Sequence, residues 1–304
     1  MYRNLDEIRE AAKNLPNRQR LAVAAAQDQD VLEAVRDAVD WGVVSAILVG
    51  DEAQIRQLAQ AVNLDLAKCQ VVAEPDPVAA ARKAVAMVAA GEADLVMKGK
   101  VGTADILRAV LDKEQGLRTG KLLSHVTALD IEGYDRLLFM TDGAMNIAPD
   151  LGQKVQIVQN AVDVARAVGI AEPKVAALAA VELVNPDMPA AVEAALLAKM
   201  AQRGQIKGAI VDGPLALDNA VSLHSAQVKG IVSPVAGQAD ILMVPDIEAG
   251  NVLYKSIVYF ARARVAGVIA GAKAPVVLTS RSDSHEAKLD SIAFSAVFAA
   301  GLNQ

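Results

Sequence analysis

A turn near the C-terminus holds the side chains best suited to bind an anion. The stretch 274–288, APVVLTSRSDSHEAK, begins with an apolar run and then changes to hydroxyl, guanidinium and carboxylate groups. Pro275 to Thr279 is predicted as a short buried strand and the residues from Asp283 as a helix, which leaves Ser280 and Arg281 in the turn between them. Ligands of open parallel sheets lie outside the carboxyl ends of strands, where a helix start offers N–H groups to an anion. Arg281 adds a planar fork of donors for phosphate or carboxylate.

The acids of the same stretch have a simpler interpretation. Asp283 followed by Glu286 has the spacing of a capping box, and capping of the last helix alone would account for both side chains. Capping does not account for Ser280 and Arg281, which precede it. The ligand hypothesis therefore depends on these two residues.

Two further loops carry positive charge. The strand Asp94 to Met97 is followed by KGKVGT, in which Lys98 and Lys100 flank a glycine and Thr103 is predicted as the N-cap of ADILRAVL. The spacing is neither that of a P-loop nor GxGxxG, so the loop is either a phosphate site or solvated surface. The loop GLRTGK at 116–121 presents Arg118 beside a threonine.

The stretch PDIEAGNVLYK at 245–255 is a polar helix face of unusual composition. A helix from Ile247 places Glu248, Asn251 and Lys255 on one side, at i, i+3 and i+7. The small pair Ala249 and Gly250 predicts close approach to another part of the molecule. A solvated surface is the alternative.

Helical and strand patterns alternate with short connections, which is typical of the α/β class. SHVTALDIEGYDRLLFMTD, from Ser124, is predicted as an antiparallel hairpin that turns at Glu132 and Gly133 and opens a second domain. The segments that begin at Pro75 and Pro186 share a Pro-Asp opening, an alanine-rich helix, a glycine stop and a strand, which indicates two similar half-folds. We predict two three-layer α/β/α domains with a cleft between them, 1–123 plus 272–304 and 124–271.

Composition excludes several classes of partner and site. The 304 residues are 53% hydrophobic and 3% aromatic, with a net charge of −6 and a pI near 5.2, which argues against nucleic acid or an anionic membrane as partner. The N-terminus lacks the apolar core of a signal peptide, and no apolar run approaches the roughly 20 residues that span a bilayer. The single cysteine, Cys69, fits a reducing cytoplasm and is predicted to be a core thiol and not a nucleophile. No HExxH, CxxC or carboxylate triplet occurs, so we expect no metal site.

Taken together, these stretches resemble the phosphate acyltransferases, the family of phosphotransacetylase and phosphate butyryltransferase. The resemblance rests on segments spread over nearly the whole chain, namely VMKGKVGTADILRAVL at 96–111, GLRTGKLLSHV at 116–126, VELVNPDMPA at 181–190, PDIEAGNVLYK at 245–255 and APVVLTSRSDSHEAKL at 274–289. The Lys-Gly-Lys and Leu-Ser-His-Val motifs are more similar to those of phosphate butyryltransferases than to those of acetyl-specific members.

The resemblance implies reversible transfer of an acyl group, butyryl foremost, between coenzyme A and inorganic phosphate. It implies direct attack in a ternary complex, without a bound cofactor or a covalent acyl-enzyme, and an isocitrate/isopropylmalate dehydrogenase-like fold that is commonly dimeric or larger. Ser280 and Arg281 match the family's active-site Ser-Arg pair, and Asn251 and Lys255 match its PD-x-x-x-GN-x-x-YK motif. The family's aspartate seven residues after the serine, proposed to deprotonate the thiol, is replaced by Ala287, so the general base has no assignment.

Other functions remain open at this point. A phosphate acetyltransferase would share the same motifs, and a non-catalytic acyl-CoA or anion-binding protein would share the fold. A decarboxylating dehydrogenase on a similar plan would need a carboxylate cluster for a divalent metal, and the acids of this sequence do not indicate one. The chain also offers no convincing nucleophile, because Ser280 lacks an evident His-Asp relay.

Overall fold

The structure is a computed structural model that describes residues 2–280 and 283–302. The chain divides into two compact units. The terminal unit comprises Asn4–Lys121 and the described part of the chain from Val265 onwards. The central unit comprises Leu122–Arg264 together with Tyr2 and Arg3.

Helices and strands alternate through both units. The terminal unit contains, in chain order, α1 (Leu5–Lys13), β1 (Gln19–Ala24), α2 (Gln29–Asp40), β2 (Val44–Gly50), α3 (Glu52–Ala61), a 3₁₀ turn (Leu66–Lys68), β3 (Cys69–Ala73), α4 (Pro77–Ala89), β4 (Leu95–Lys98), α5 (Thr103–Val110), and, after the central unit, β10 (Arg264–Ala270), β11 (Val276–Val277) and α11 (His285–Leu302). The central unit contains β5 (Ser124–Asp130), β6 (Leu138–Thr141), α6 (Leu151–Ala167), β7 (Lys174–Leu178), α7 (Pro189–Gln202), β8 (Ile210–Leu215), α8 (Leu217–Val221), α9 (Leu223–Val228), β9 (Ile241–Met243) and α10 (Ile247–Phe260).

Local sequence explains where many of these helices begin. Aspartates at the N-cap accept a hydrogen bond from a backbone N–H in the first turn, as Asp28 does for α2 and Asp246 for α10. At α6, Asp150 and Gln153 form a complete capping box. The strands between the helices are largely buried and rich in Val, Leu and Ala, as expected for a sheet covered on both faces. Among the residues described, no helix combines the length and apolar character needed to cross a membrane.

The sheet of the terminal unit runs β3-β2-β1-β4-β11-β10, with its strands parallel except for β10, which is antiparallel to β11. The strands of the central unit run β8-β7-β9-β6-β5, and β5 is antiparallel to β6. The predicted hairpin is therefore confirmed, with Thr127 opposite Met140 and a turn in which the N–H of Tyr134 bonds to the carbonyl of Ile131 at 3.0 Å. The α/β class predicted from the sequence is also confirmed.

The two units repeat one plan. Without β3, the terminal order β2-β1-β4-β11-β10 matches the central order β8-β7-β9-β6-β5, including the final antiparallel strand. An aspartate before the third strand of each series bonds to the start of its neighbour, since Asp94 Oδ2 accepts from Arg20 N at 2.7 Å and Asp240 Oδ2 from Lys174 N at 2.8 Å. Burial raises the pKa of Asp240, whereas at Asp94 the bonds from Arg20 outweigh burial and lower the pKa.

The sequence pattern predicted this repetition but paired the wrong strands. It aligned the segment that contains β4 with the segment that contains β8, whereas the strand orders make β9 the counterpart of β4 and β2 the counterpart of β8. The cause is that a proline-opened helix, a glycine and a strand describe any β/α unit, so composition alone does not define the register. In the corrected register, α5 and α10 are counterparts, and each follows a loop with candidate ligand residues.

Candidate active site

The loop after β4 is held against the end of β1 by its backbone. The N–H of Gly99 bonds to the carbonyl of Ala24 at 2.9 Å, and the N–H of Lys100 bonds to the carbonyl of Ala25 at 2.7 Å. A Cβ at position 99 would lie 2.3 Å from the oxygen of Ala25 and 2.8 Å from that of Ala24. The two chain segments approach this closely only because residue 99 has no side chain.

The two lysines of this loop have different environments. Lys98, the last residue of β4, is 8% exposed, and its Nζ lies 3.3 Å from the carbonyl oxygen of Gly99. Lys100 is exposed. One ammonium group is thus enclosed at the strand end while the other is free to reach solvent or a ligand.

Thr103 does not cap α5 as predicted. Gly102 is the N-cap, with extended backbone angles and no side-chain cap, and Thr103 is the exposed first residue of the helix. Gly102 takes this position because its carbonyl accepts the first helical bonds, from Asp105 N at 3.0 Å and Ile106 N at 3.2 Å. Thr103 can therefore offer a ligand its hydroxyl and its own N–H, which is among the first-turn donors that helices leave unsatisfied.

Ser280 emerges at the same edge of the sheet. β11 is parallel to β4, with Val277 opposite Met97, so the chains after both strands leave the sheet side by side. Ser280 is exposed, and its N–H bonds to Asp283 Oδ2 at 2.7 Å while its carbonyl accepts from Asp283 N at 3.2 Å. We call Ser280 and Asp283, with the two hydrogen bonds that join them, the serine turn. Arg281, predicted to be catalytic, lies outside the described residues.

The predicted capping box of Asp283 and Glu286 is wrong. α11 begins at His285, and Ser284 Oγ accepts from the N–H of Ala287 at 3.2 Å, which is the N-cap bond. The carboxylate of Asp283 instead accepts a hydrogen bond from the N–H of Ser280. Serine and aspartate are nearly equal as N-caps, and the bond within the serine turn decides between them. Ala287, at the family's aspartate position, lies in the first turn of α11.

Arg118 lies in a loop that is bonded to the chain before β11 and not to the chain after it. It is exposed, and its neighbours are tied to the β10–β11 connection, since Lys273 N bonds to the carbonyl of Leu117 at 2.8 Å and Thr119 Oγ1 to that of Gly271 at 2.5 Å. That connection precedes β11, whereas the serine turn follows it. β11 lies between the two along the chain, so Arg118 is a separate candidate from the lysine loop.

In the central unit, α10 carries Asn251 and Lys255 on one face. The helix begins at Ile247 as predicted, and the expected close approach occurs at Gly250, where a Cβ would lie 2.7 Å from Gly143 Cα and 2.7 Å from Val244 Cγ2. The neighbour is thus the loop after β6. Asn251 is half-buried and Lys255 is exposed.

The loop after β6 is organised by Asp142, a role that sequence reasoning missed. Asp142 is 3% exposed, and its carboxylate accepts from the N–H groups of Ala144 at 3.1 Å, Met145 at 3.0 Å and Asn146 at 3.3 Å. Asn146 Nδ2 also donates to Asp142 at 2.6 Å and to the carbonyl of Leu123 at 2.9 Å. An Asp-Gly pair directly after a strand was the available signal, because aspartate commonly bonds to backbone amides further along a turn.

Cys69 has the properties of an unreactive thiol. It begins β3, and burial, with smaller contributions from Asp65 and Asp40, raises its pKa to about 11. A thiol with this pKa is almost entirely protonated near neutral pH and is a poor nucleophile. Over residues 2–280 and 283–302, no group of three or more His, Cys, Asp or Glu side chains has an arrangement that could hold a metal ion.

Comparison with known proteins identifies the family of this chain. The profile of the family described as "Phosphate acetyl/butaryl transferase" matches residues 4–80 and 77–296. The chain is 52% identical over 300 residues to phosphate butyryltransferase of Clostridium beijerinckii, covering 99% of both chains, and 50% identical over 280 residues to phosphate acetyltransferase of Thermotoga maritima, covering 92% of this chain and 95% of the other. A crystal structure of a branched-chain phosphotransacylase from Enterococcus faecalis superposes with a TM-score of 0.82 at 36% identity, covering 92% of this chain and 99% of that one. The chain therefore belongs to the phosphate acetyl/butaryl transferase family.

Proposed function

We propose that this protein is a phosphate acyltransferase that moves a short acyl group, butyryl foremost, between coenzyme A and inorganic phosphate. The observation that carries the proposal is the 52% identity with a phosphate butyryltransferase, which extends over 99% of both chains. Coenzyme A and phosphate are substrates in this reaction, and no bound cofactor is invoked.

The reaction needs charge stabilisation more than it needs a covalent intermediate. An oxygen of the phosphate dianion attacks the thioester carbonyl, a C–O bond forms, the C–S bond breaks, and the proton that phosphate loses is the proton that the thiol gains. Negative charge grows on the carbonyl oxygen during attack. Preorganised cations and N–H donors are the groups that lower such a barrier.

The edge formed by the ends of β4 and β11 supports phosphate binding there. Lys98, Lys100 and Thr103 belong to one loop and helix start, and Ser280 follows the adjacent parallel strand. We propose that these residues bind phosphate and that Ser280, with Arg281, acts on the reacting groups. A serine hydroxyl donates to an oxyanion, and the guanidinium fork pairs with phosphate or the acyl carbonyl.

Three more residues are proposed as substrate contacts. Asn251 and Lys255 stand one turn apart on α10, so an amide and an ammonium group face the same side. Arg118 is proposed to bind phosphate groups of coenzyme A, which lie far from its thiol. Its separation from the lysine loop supports a contact with a different part of the substrate.

A substrate panel tests the proposal. Purified protein is mixed with acetyl-, butyryl-, isobutyryl- and hexanoyl-CoA with and without phosphate, and free thiol is measured. We expect phosphate-dependent thiol release that is fastest with butyryl-CoA. The 50% identity to a phosphate acetyltransferase makes acetyl transfer the second candidate, and a maximum with acetyl-CoA would establish it. Folded protein that binds coenzyme A but releases no thiol from any member would indicate a binding protein.

We further propose that the protein works in the cytoplasm as a homodimer or a multiple of it. The single cysteine and the use of coenzyme A support the location. Along α10, every residue of which is described, only Gly250 is buried, while Val252 is 66%, Tyr259 69% and Phe260 87% exposed. An apolar helix left this exposed is typical of a subunit interface. Sedimentation should give twice the mass of the 31.7 kDa chain or a multiple of it, and Phe260→Glu should shift it toward the monomer.

A further inference from the structure

Lys288 is a buried cation to which no role has been assigned. It lies in the second turn of α11, and only 3% of the residue is exposed. Lysine is almost never fully buried without a partner, because its ammonium group loses hydration. Its side chain would ordinarily extend along an apolar surface until the ammonium group reached water. The position of the ammonium group at Lys288 therefore needs an explanation.

Both ends of Lys288 bond to the segment that leads into α11. Its Nζ donates to the carbonyl of Asp283 at 2.5 Å, and its N–H bonds to the carbonyl of Ser284 at 3.1 Å. The carboxylate that pairs with it is that of Asp30 in α2, at 3.9 Å and with its side chain 60% exposed. The strongest contact of the ammonium group is thus with the backbone of the serine turn and not with an acid.

Asp283 passes this restraint on to Ser280. The carboxylate of Asp283 accepts from the N–H of Ser280 at 2.7 Å, and its own N–H bonds to the carbonyl of Ser280 at 3.2 Å. A shift of Asp283 therefore shifts the backbone of Ser280. The ammonium group of Lys288 therefore bonds to the same residue, Asp283, that is bonded to Ser280.

We infer that Lys288 is a positioning residue that holds the serine turn in the conformation that receives phosphate. The inference rests on the proposed function, because it assigns the serine turn to the phosphate subsite. Lys288 acts through the carbonyl of Asp283 and does not itself touch the reacting atoms. Without the ammonium group, Asp283 loses one of its restraints, and the backbone that carries the hydroxyl of Ser280 is held less firmly.

Two substitutions separate the ammonium group from the bulk of the side chain. Lys288→Met keeps an unbranched side chain and removes the donor, whereas Lys288→Arg keeps a charged donor. We expect Lys288→Met to lower kcat/KM for phosphate by about 10²-fold, the effect of a displacement near 1 Å in a reactive geometry. The KM for butyryl-CoA should change by less than about threefold, and Lys288→Arg should recover about tenfold of the loss.

Arg9, in α1, provides a matched control that contacts the same helix as Lys288. It is another buried cation, 7% exposed, and its Nε donates at 2.5 Å to Asp290, two residues after Lys288. Arg9→Lys should lower Tm and leave kcat/KM for phosphate within about twofold of wild type, because its contact lies in the body of α11. Equal losses of kcat/KM in Arg9→Lys and Lys288→Met, at matched Tm, would reduce Lys288 to a structural role and overturn the inference.

Amide hydrogen exchange supplies a readout independent of turnover. In Lys288→Met, peptides that cover residues 278–284 should exchange faster, while peptides from the rest of α11 should not change. Unchanged exchange in the serine turn, or a kcat/KM for phosphate within twofold of wild type, would contradict the inference. If Lys288→Met does not fold, Lys288→Gln is measured in the same way. If wild type releases no thiol from any acyl-CoA, the proposed function fails, and exchange still tests whether Lys288 holds the serine turn.

Discussion

Replacing Gly99 by alanine tests whether the placement of the lysine loop matters for activity. The added Cβ would lie 2.3 Å from the carbonyl oxygen of Ala25, where ordinary contact begins near 3.4 Å, so one segment must move by about 1 Å. Ala24 and Ala25 are fully buried at the end of β1, and Ala24 pairs with both β2 and β4. The loop that carries Lys98 and Lys100 is therefore the part that moves.

The displacement should affect catalysis more than folding. A shift of 1 Å in a binding geometry lowers rate by about 10²-fold, and we expect this loss in kcat/KM for phosphate. Overpacking of this size lowers the free energy of unfolding by about 1–3 kcal/mol, which leaves a protein of this size folded. The assay is steady-state thiol release from butyryl-CoA at varied phosphate, beside urea unfolding of the same preparations.

Gly102 is the matched control in the same loop. A Cβ there would meet only the carboxylate of Asp105, at 2.8 Å, which is the end of a side chain that can rotate away. Gly102→Ala should cost about 1 kcal/mol or less as a poorer N-cap and leave kcat/KM for phosphate within about threefold of wild type. Equal activity of Gly99→Ala and Gly102→Ala would refute the argument that the lysine loop binds phosphate in a fixed position.

Three other substitutions test separate parts of the molecule. Cys69→Ser should keep most of the turnover. In wild type, a thiol pKa of about 11 leaves about 10⁻³ of the thiol ionised at pH 8, so the rate of iodoacetamide labelling should rise about tenfold per pH unit up to pH 10. Fast labelling at pH 7 would contradict this pKa. Arg281→Lys keeps the charge but loses the paired donors, and should lower kcat/KM by about 10²-fold with an unchanged Tm; near-normal kinetics would make Arg281 a surface residue. Asp142→Asn puts an NH₂ group against N–H donors and should lower the free energy of unfolding by about 2 kcal/mol in urea, while an unchanged midpoint would show that Asp142 does not hold its loop.

Sequence reasoning succeeded where the signal was local or where the topology was simple. The hairpin at 124–141 followed from two apolar runs around Glu132 and Gly133, and the predicted start of α10 at Ile247 was correct. The grouping of Lys98 with Ser280 was also within reach, because two strands that precede helices in an α/β fold end at one edge of the sheet. Gly250 was identified as a point of close approach, although its neighbour Gly143 was not.

Local reasoning failed where two residues of equal propensity competed. Ser284 and Asp283 are both good N-caps, and the choice depends on the N–H of Ser280, which occupies the carboxylate of Asp283. Similarly, Gly102 and not Thr103 is the N-cap of α5, because the carbonyl of residue 102 accepts the first helical bonds. In each case both residue types are good N-caps. Which of the two forms the cap depends on the backbone path, which the sequence does not show.

The location of Arg118 could not be predicted from the sequence, for a different reason. As a local pattern, GLRTGK is as basic and as rich in glycine as KGKVGT, and nothing in either stretch indicates a different edge of the sheet. The location of Arg118 depends on bonds to Gly271 and Lys273, which are more than 150 residues away in the chain. These residues lie before β11 and the serine turn lies after it, so a single short strand separates two basic loops that the sequence treats alike. Coenzyme A carries its phosphate groups far from its thiol, so the lysine loop can bind inorganic phosphate while the loop of Arg118 binds the phosphates of coenzyme A. For this reason the separation does not weaken the case for Arg118 as a contact for coenzyme A.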